Sequence, residues 1–278
     1  MPESVLLEHS RLRAWIEPDR LLPGAYQLIV DGTPQSHVNT LDPTDLTYEY
    51  VRRMAHVIDL MRPPGLALTA VHLGAGALTL PRYVEATRPG SRQQVIELEE
   101  RLVELVRQSL PWHPASIRVR YGDARATLGR LPAGLRGTAD LVVVDVFRGA
   151  RTPAHVTSRE FYAEVKTLLA QGGVVLVNVA DGPPLRFARA QAATVQSVFT
   201  AACALAENSV LKGRRFGNIV IAASDAALPL AGLPRLLASG AYPAKAVVGA
   251  EFARFAAAPV TTDSNAVPSP EPGHLFGG

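Results

Sequence analysis

One cysteine in 278 residues, Cys203 in the alanine-rich "FTAACALAE", excludes an internal disulfide and any cysteine-built metal cluster. A thiol in so small-residued a setting reads as a core residue, not a nucleophile. Long apolar runs are missing too. No stretch approaches the roughly 18 uninterrupted apolar residues of a membrane span, and "MPESVLLEHSRLRAW" puts charges where a secretion leader needs an apolar run. The expectation is a soluble, cytoplasmic protein with no membrane partner. Aromatic residues make up only 6% of the chain and the formal net charge is only +3. The arginines fall as scattered pairs, Arg52 with Arg53 and Arg214 with Arg215, so neither the basic stripe nor the stacking platforms of a nucleic-acid binder are expected. What the chain has in quantity is apolar: 47% hydrophobic residues can fill the core of one large domain, or of one domain with an appendage.

The first 40 or so residues hold short apolar or alternating runs, "RLRAWIEP", "YQLIVDG" and "QSHVNT", parted by Pro-Gly and Asp-Gly turn signals. They predict a small antiparallel β unit. Over "DPTDLTYEYVRRMAHVIDLM" the spacing turns helical, with Tyr50, Met54, Val57, Ile58 and Met61 on one face until "RPPG" stops it. About 140 residues of alternation follow. Strands are expected at "LALTAVHL", "RQQVIEL", "SIRVRYG", "ADLVVVDV" and "GGVVLVNVA". Helices are expected at "TLPRYVEATR", "EERLVELVRQSL" (Leu98, Leu102, Leu105 and Val106 inward), "DARATLGRL" and "SREFYAEVKTLLA". Continuous apolar strands alternating with helices predict an α/β fold, a parallel sheet covered on both faces. After "RFARAQAATVQSVFTAACALA" the last two strands are expected at "SVLK" and "GNIVIAAS", paired antiparallel at the sheet edge. The expected division is an N-terminal β domain over 1–45, a nucleoside-binding domain over 46–258 and an extended or disordered Pro/Gly/Ser-rich tail over 259–278.

Three strand ends carry the chemistry. "VHLGAGALTLPRY" runs a strand into Gly74-Ala75-Gly76, which lets the backbone turn tightly and approach a ligand. Glu97 closes the next strand roughly 20 residues on, where an acid can accept both ribose hydroxyls. Thr79 stands where the dinucleotide fingerprint has its third glycine, which disfavours a pyrophosphate and favours a mononucleoside-type cofactor such as S-adenosylmethionine. The alternative is a plain glycine turn with a solvated Glu97. The third strand delivers "YGDAR": Asp123 can accept from an adenine amino group, or can simply cap the helix that begins at Ala124. Asp145 ends the fourth apolar strand. Under Val146 and Phe147 its pKa would rise, which suits a general base; its alternative is a loop anchor accepting backbone N–H groups.

The order of these segments resembles the spermidine synthase family, the polyamine aminopropyltransferases, over roughly residues 25 to 225. "LIVDGTPQ" is similar to that family's strand ending in Asp-Gly and then Gln, so the resemblance gives Gln35 the place of the active-site glutamine. "YVRRMAH" is similar to its Tyr-His-Glu helix, with Tyr50 and His56 matching and Val51 departing. "LGAGALTLPR", "IELE" and "GDA" are similar to its glycine loop, its ribose-binding strand and its adenine-binding turn. "VVVDVFRGARTPAHVTSREFYAEVKTLLAQGGVVLV" resembles the strand, the Asp-Ser-Ser-Asp-Pro loop, the "FY" helix and the "GG" turn. "FGNIVIAAS" matches a spermidine synthase-like bacterial subgroup.

The resemblance implies a class I methyltransferase-like Rossmann domain behind a small antiparallel β domain, commonly a homodimer. It implies an aminopropyl group carried from decarboxylated S-adenosylmethionine to an amine such as putrescine, with no metal. Asp145 and Tyr50 would be catalytic, and Gln35, Gly74, Gly76, Glu97, Asp123 and Ala124 would hold the co-substrate. Two departures stand out. Ala77 replaces the glycine-loop acid that holds the amino end of the donor, and Arg148 replaces the second acid of the acceptor loop. A guanidinium there would repel a diammonium chain unless it turned outward or paired with an acid such as Glu160. Arg148 and Arg151 would instead suit an anionic acceptor. Two other readings stay open: an S-adenosylmethionine-dependent methyltransferase, in which His72 takes the place of the acid that usually receives the methionine amine, and a non-catalytic nucleoside-binding protein.

Overall fold

The computed structural model describes residues 4–113, 115–239 and 242–272. Strands β1 (Ser4–Leu6), β2 (Arg13–Pro18), β3 (Ala25–Val30) and β4 (Thr33–Asn39) form an antiparallel sheet in chain order. Asp31 and Gly32 both take positive φ (49° and 77°) between Val30 and its partner Thr33, the two-residue turn whose twist suits a hairpin. The chain then runs through α1 (Glu49–Met61), β5 (Thr69–Leu73), α2 (Thr79–Thr87), β6 (Arg92–Glu97), α3 (Glu100–Ser109), β7 (Ile117–Tyr121), α4 (Ala124–Leu128), β8 (Ala139–Val144), α5 (Arg159–Lys166) and β9 (Leu169–Asp181). It closes with α6 (Arg186–Gln196), β10 (Ala201–Ala206), α7 (Asn208–Leu211), β11 (Gly217–Ser224), α8 (Leu233–Ala238), β12 (Lys245–Val247) and α9 (Gly249–Phe255).

The second sheet has the order β12-β10-β11-β9-β8-β5-β6-β7, parallel from β7 to β9 and antiparallel from there to the β12 edge. Its strands are apolar on both faces because both are covered. Val142 and Val144 pack with Val71, Leu73, Phe161 and Val177 beneath α5 and α6, while Leu141 and Val143 pack with Ala70, Leu176, Met54 and Ile58 beneath α1. The stripe of α3 does something else. Leu102, Leu105 and Val106 pack against Leu7, Ala14, Leu28 and Val30 of the N-terminal sheet, fastening that sheet beside the parallel one; Leu98, expected on the same stripe, lies before the helix.

Two expected elements differ. "SVLK" is not a strand: Ser209–Leu211 belong to the short helix α7, and the strand that pairs with β11 is "AACALA", β10. Alanine has little strand preference of its own, and here hydrogen bonding to β11 on one side and β12 on the other decides the conformation. Cys203 is buried in β10, where burial pushes its thiol up to about 12, the behaviour of a core residue. No helix among the described residues is long and apolar enough to cross a membrane.

Candidate active site

Strands β5, β6, β7 and β8 end in step. Leu73 pairs across to Ile96 and to Val144, and Glu97 pairs to Tyr121. The chain leaves β5 at Gly74 with β6 on one side and β8 on the other, the point where strand order reverses and open α/β sheets form their crevice. Gly74 has φ 92°, and a Cβ on it would sit 2.1 Å from the Asp145 carbonyl oxygen. Gly76 has φ 48°, and its Cβ would sit 2.4 Å from Ser36 Oγ, which accepts from Ala77 N at 3.1 Å. Both glycines are therefore demanded by contacts within the chain: the first lets β8 approach, the second seats β4.

Above these tips lies a cavity of about 400 Å³. All eight residues singled out in the sequence line it: Gly74, Gly76, Glu97, Asp123, Ala124 and Asp145 from the parallel sheet's edge, Gln35 from β4 and Tyr50 from α1. Gln35 also ties β4 to the loop after β8, donating from Nε2 to Gly149 O at 3.4 Å. His56, on the same helix as Tyr50, is not among the lining residues.

The three acids are held differently. Glu97 accepts from Ala75 N and from Glu99 N, each at 2.9 Å; burial pushes its pKa up while these backbone bonds pull it down. Asp123 is the helix cap that the sequence allowed: Oδ1 accepts from Arg125 N (3.0 Å) and Ala126 N (2.9 Å). Its other oxygen, Oδ2, lies 2.6 Å from His155 Nε2, in a pairing the sequence did not announce. Asp145 is half-buried, and side chains alone hold its carboxylate. Asn178 Nδ2 donates to Oδ1 at 2.8 Å and the Tyr50 hydroxyl donates to Oδ2 at 3.2 Å, while Asn178 Oδ1 accepts from Asn218 Nδ2 at 2.9 Å. Among the described residues no backbone N–H donates to it, so it is not an anchor of its own loop. Burial raises its pKa, and the bonds from Asn178 and Tyr50 offset part of that rise. Burial and the neighbouring Asp145 hold the Tyr50 phenol well above its ordinary pKa, so it remains a neutral donor.

The suspected departures also find their places. His72 is buried, with Nε2 3.0 Å from Gln93 Oε1, and burial lowers its pKa to about 4, so near neutral pH it carries no charge. Arg148 is exposed at the cavity's edge, donating to His9 O at 3.1 Å; among the described residues it does not pair with Glu160. Arg151 donates to Ser269 O at 2.7 Å and faces Glu271. Arg151 is thus engaged by the 269–271 segment and is not among the lining residues, whereas Arg148 lines the cavity and bonds only a neutral carbonyl.

The loop from 146 to 158, one wall of the cavity, is fastened from outside by residues 261–271. Arg159 N donates to Thr261 O, Arg125 donates from both terminal nitrogens to Asp263 (2.6 and 2.9 Å), and Ser158 Oγ donates to Asp263 at 2.5 Å. Ser269, fully buried, exchanges bonds with Thr152: its N–H donates to Thr152 O at 3.0 Å and its Oγ accepts from Thr152 N at 2.8 Å. Residues 273–278 lie outside the described part of the chain.

Known proteins can be set beside this geometry. No protein-family model matches the chain. A polyamine aminopropyltransferase of Vibrio vulnificus is 30% identical over 162 residues, 57% of this chain; the chain spans about half the length of that curated relative (52%). The crystal structure of a probable spermidine synthase from Corynebacterium glutamicum superposes with a TM-score of 0.85 at 28% identity, covering 94% of this chain and 96% of that one. A spermidine synthase in complex with the transition-state analogue AdoDATO shares the fold at 14% identity, with a TM-score of 0.60 over 85% of this chain and 77% of its own. Curated relative and solved structure alike make this chain similar to polyamine aminopropyltransferases and spermidine synthases.

Proposed function

We propose that the protein is an aminopropyltransferase, moving the aminopropyl group of decarboxylated S-adenosylmethionine to an amine acceptor. The observation that carries this is Asp145: a half-buried carboxylate on the cavity wall, beside the glycine turn, aimed by Asn178 and Tyr50. In the transfer, the acceptor nitrogen attacks the carbon next to the sulfonium, the C–S pair returns to sulfur to leave neutral methylthioadenosine, and the nitrogen's proton passes to Asp145. Desolvation of Asp145 favours that proton transfer, and the two donors keep both oxygens oriented. Glu97 offers its remaining lone pairs to the ribose hydroxyls. Ala124 and Asp123 border the adenine end, where His155 shares the Asp123 carboxylate.

A methyltransferase would need a charged partner for the donor's amino-acid end, and the neutral, Gln93-bonded His72 supplies none. The test is formation of methylthioadenosine from decarboxylated S-adenosylmethionine and a panel of amines. Asp145→Asn is expected to slow turnover by about 10²- to 10⁴-fold while methylthioadenosine still binds. Nucleoside binding without turnover on any amine would leave the non-catalytic reading in its place.

A further inference from the structure

Arg125 follows Asp123 and Ala124 in the chain, yet unlike them it does not line the cavity. It governs both oxygens of the Asp123 carboxylate from behind. Its backbone N–H donates to Oδ1 at 3.0 Å, and its Nη1 donates to His155 O at 3.2 Å, fixing the residue whose ring Nε2 lies 2.6 Å from Oδ2. His155 does line the cavity, so the ring that meets Asp123 is part of the wall at the end proposed for adenine. The guanidinium is itself set by two acids. Nε and Nη2 donate to Glu164 of α5 (3.0 and 2.7 Å), and Nη1 and Nη2 donate one to each oxygen of Asp263 (2.6 and 2.9 Å). Asp263 also accepts from Ser158 Oγ at 2.5 Å, and its own N–H donates to Glu160 at 3.0 Å. A two-pronged pair of guanidinium and carboxylate fixes a plane as well as a distance, which a lysine ammonium cannot do. The Asp263 side chain is 48% exposed, so the pair adds little to global stability and its effect falls on what Arg125 holds.

We infer that Asp263 and Arg125 are positioning residues for nucleoside binding: the C-terminal segment, acting through Arg125 and Ser158, holds His155 and its loop against Asp123 in the geometry that receives the base. This rests on the proposed function only in that the cavity takes a nucleoside. With the clamp removed, the loop spends part of its time away from Asp123, and the apparent affinity falls by the fraction of time that the wall is in place.

Methylthioadenosine is titrated calorimetrically into the full chain and its variants, with melting temperatures recorded alongside. Asp263→Ala leaves the main chain of the segment in place and is expected to weaken binding about ten-fold, the result of a wall in place about a tenth of the time, with the melting temperature moved by no more than a few degrees. Should it melt early, Asp263→Asn, which keeps an acceptor for Ser158, carries the same comparison. Arg125→Lys is expected to weaken binding at least as much. Asp225→Ala is the control: it breaks another half-exposed ion pair of α5, with Lys166 at 2.8 Å, neither member lining the cavity, and should leave binding unchanged. The deciding readout is a double-mutant cycle. In His155→Ala the ring that the clamp positions is gone, so adding Asp263→Ala should weaken binding by less than about two-fold further. Undiminished affinity in Asp263→Ala or Arg125→Lys, an equal loss in Asp225→Ala, or penalties that add in full across the cycle would each overturn the inference and leave the nucleoside site standing. A parent chain that does not bind methylthioadenosine would overturn the inference and the nucleoside site together.

Discussion

The two ends of the cavity are held by different kinds of bond. At the glycine-turn end the acids are fixed largely by main-chain N–H groups, as Glu97 is by Ala75 and Glu99 and Asp123 is by the first turn of α4. At the α1 end Asp145 depends on side chains from three other elements, Tyr50 of α1, Asn178 of β9 and, through it, Asn218 of β11. The first arrangement comes with the fold and is hard to retune. The second leaves a carboxylate whose proton affinity, raised by burial, is tempered by two replaceable donors, which suits a group that must take up a proton and release it.

That contrast can be broken from either side. The largest effect is expected at the shared hinge. Gly74→Val would drive a side chain into the Asp145 carbonyl at a φ of 92°, so strain of about 1–3 kcal/mol is joined by direct overlap, and chemical denaturation should show loss of most of the stability. Gly32→Ala is the control, equally left-handed with nothing within 4 Å of its Cβ, and should cost only about 1 kcal/mol. Next in size, Glu97→Gln is expected to weaken methylthioadenosine by roughly 10- to 100-fold in calorimetry, the worth of charge-assisted hydrogen bonds. The smallest change sharpens the other end. The Asn178 amide favours ionised Asp145, so Asn178→Leu removes a lowering influence and the Asp145 pKa rises further. The acid limb of kcat/KM should then move to higher pH, with less ionised base at any pH below it. Asn218→Ala should move it the same way by less. A limb that stayed in place in both variants would separate Asp145 from the rate.

The same division explains how much could be read from the chain. Parallel strands were legible because burial on both faces leaves runs such as "LVVV" and "GVVLV" with no polar alternation, and once they alternate with helices their carboxyl ends must share an edge. That alone brought Gly74, Glu97, Asp123 and Asp145 to one cavity. Asn178, Asn218 and His155 were not legible. Their partners lie 33, 40 and 32 positions away, and a polar residue inside an apolar run signals a bond without naming the other member. Strand β10 escaped notice for a related reason: "AACALA" has no local preference strong enough to announce what its neighbours impose.

The fastening of Ser269 against Thr152 reaches into the life of the protein on the ribosome. Strands β5 to β8, and every acid in the cavity, emerge more than a hundred residues before the segment that completes the loop around Arg151 and Ser158. A nascent chain can therefore bring the acids of the cavity together early, yet the loop that walls it is left without its outer buttress until more than a hundred further residues have been made.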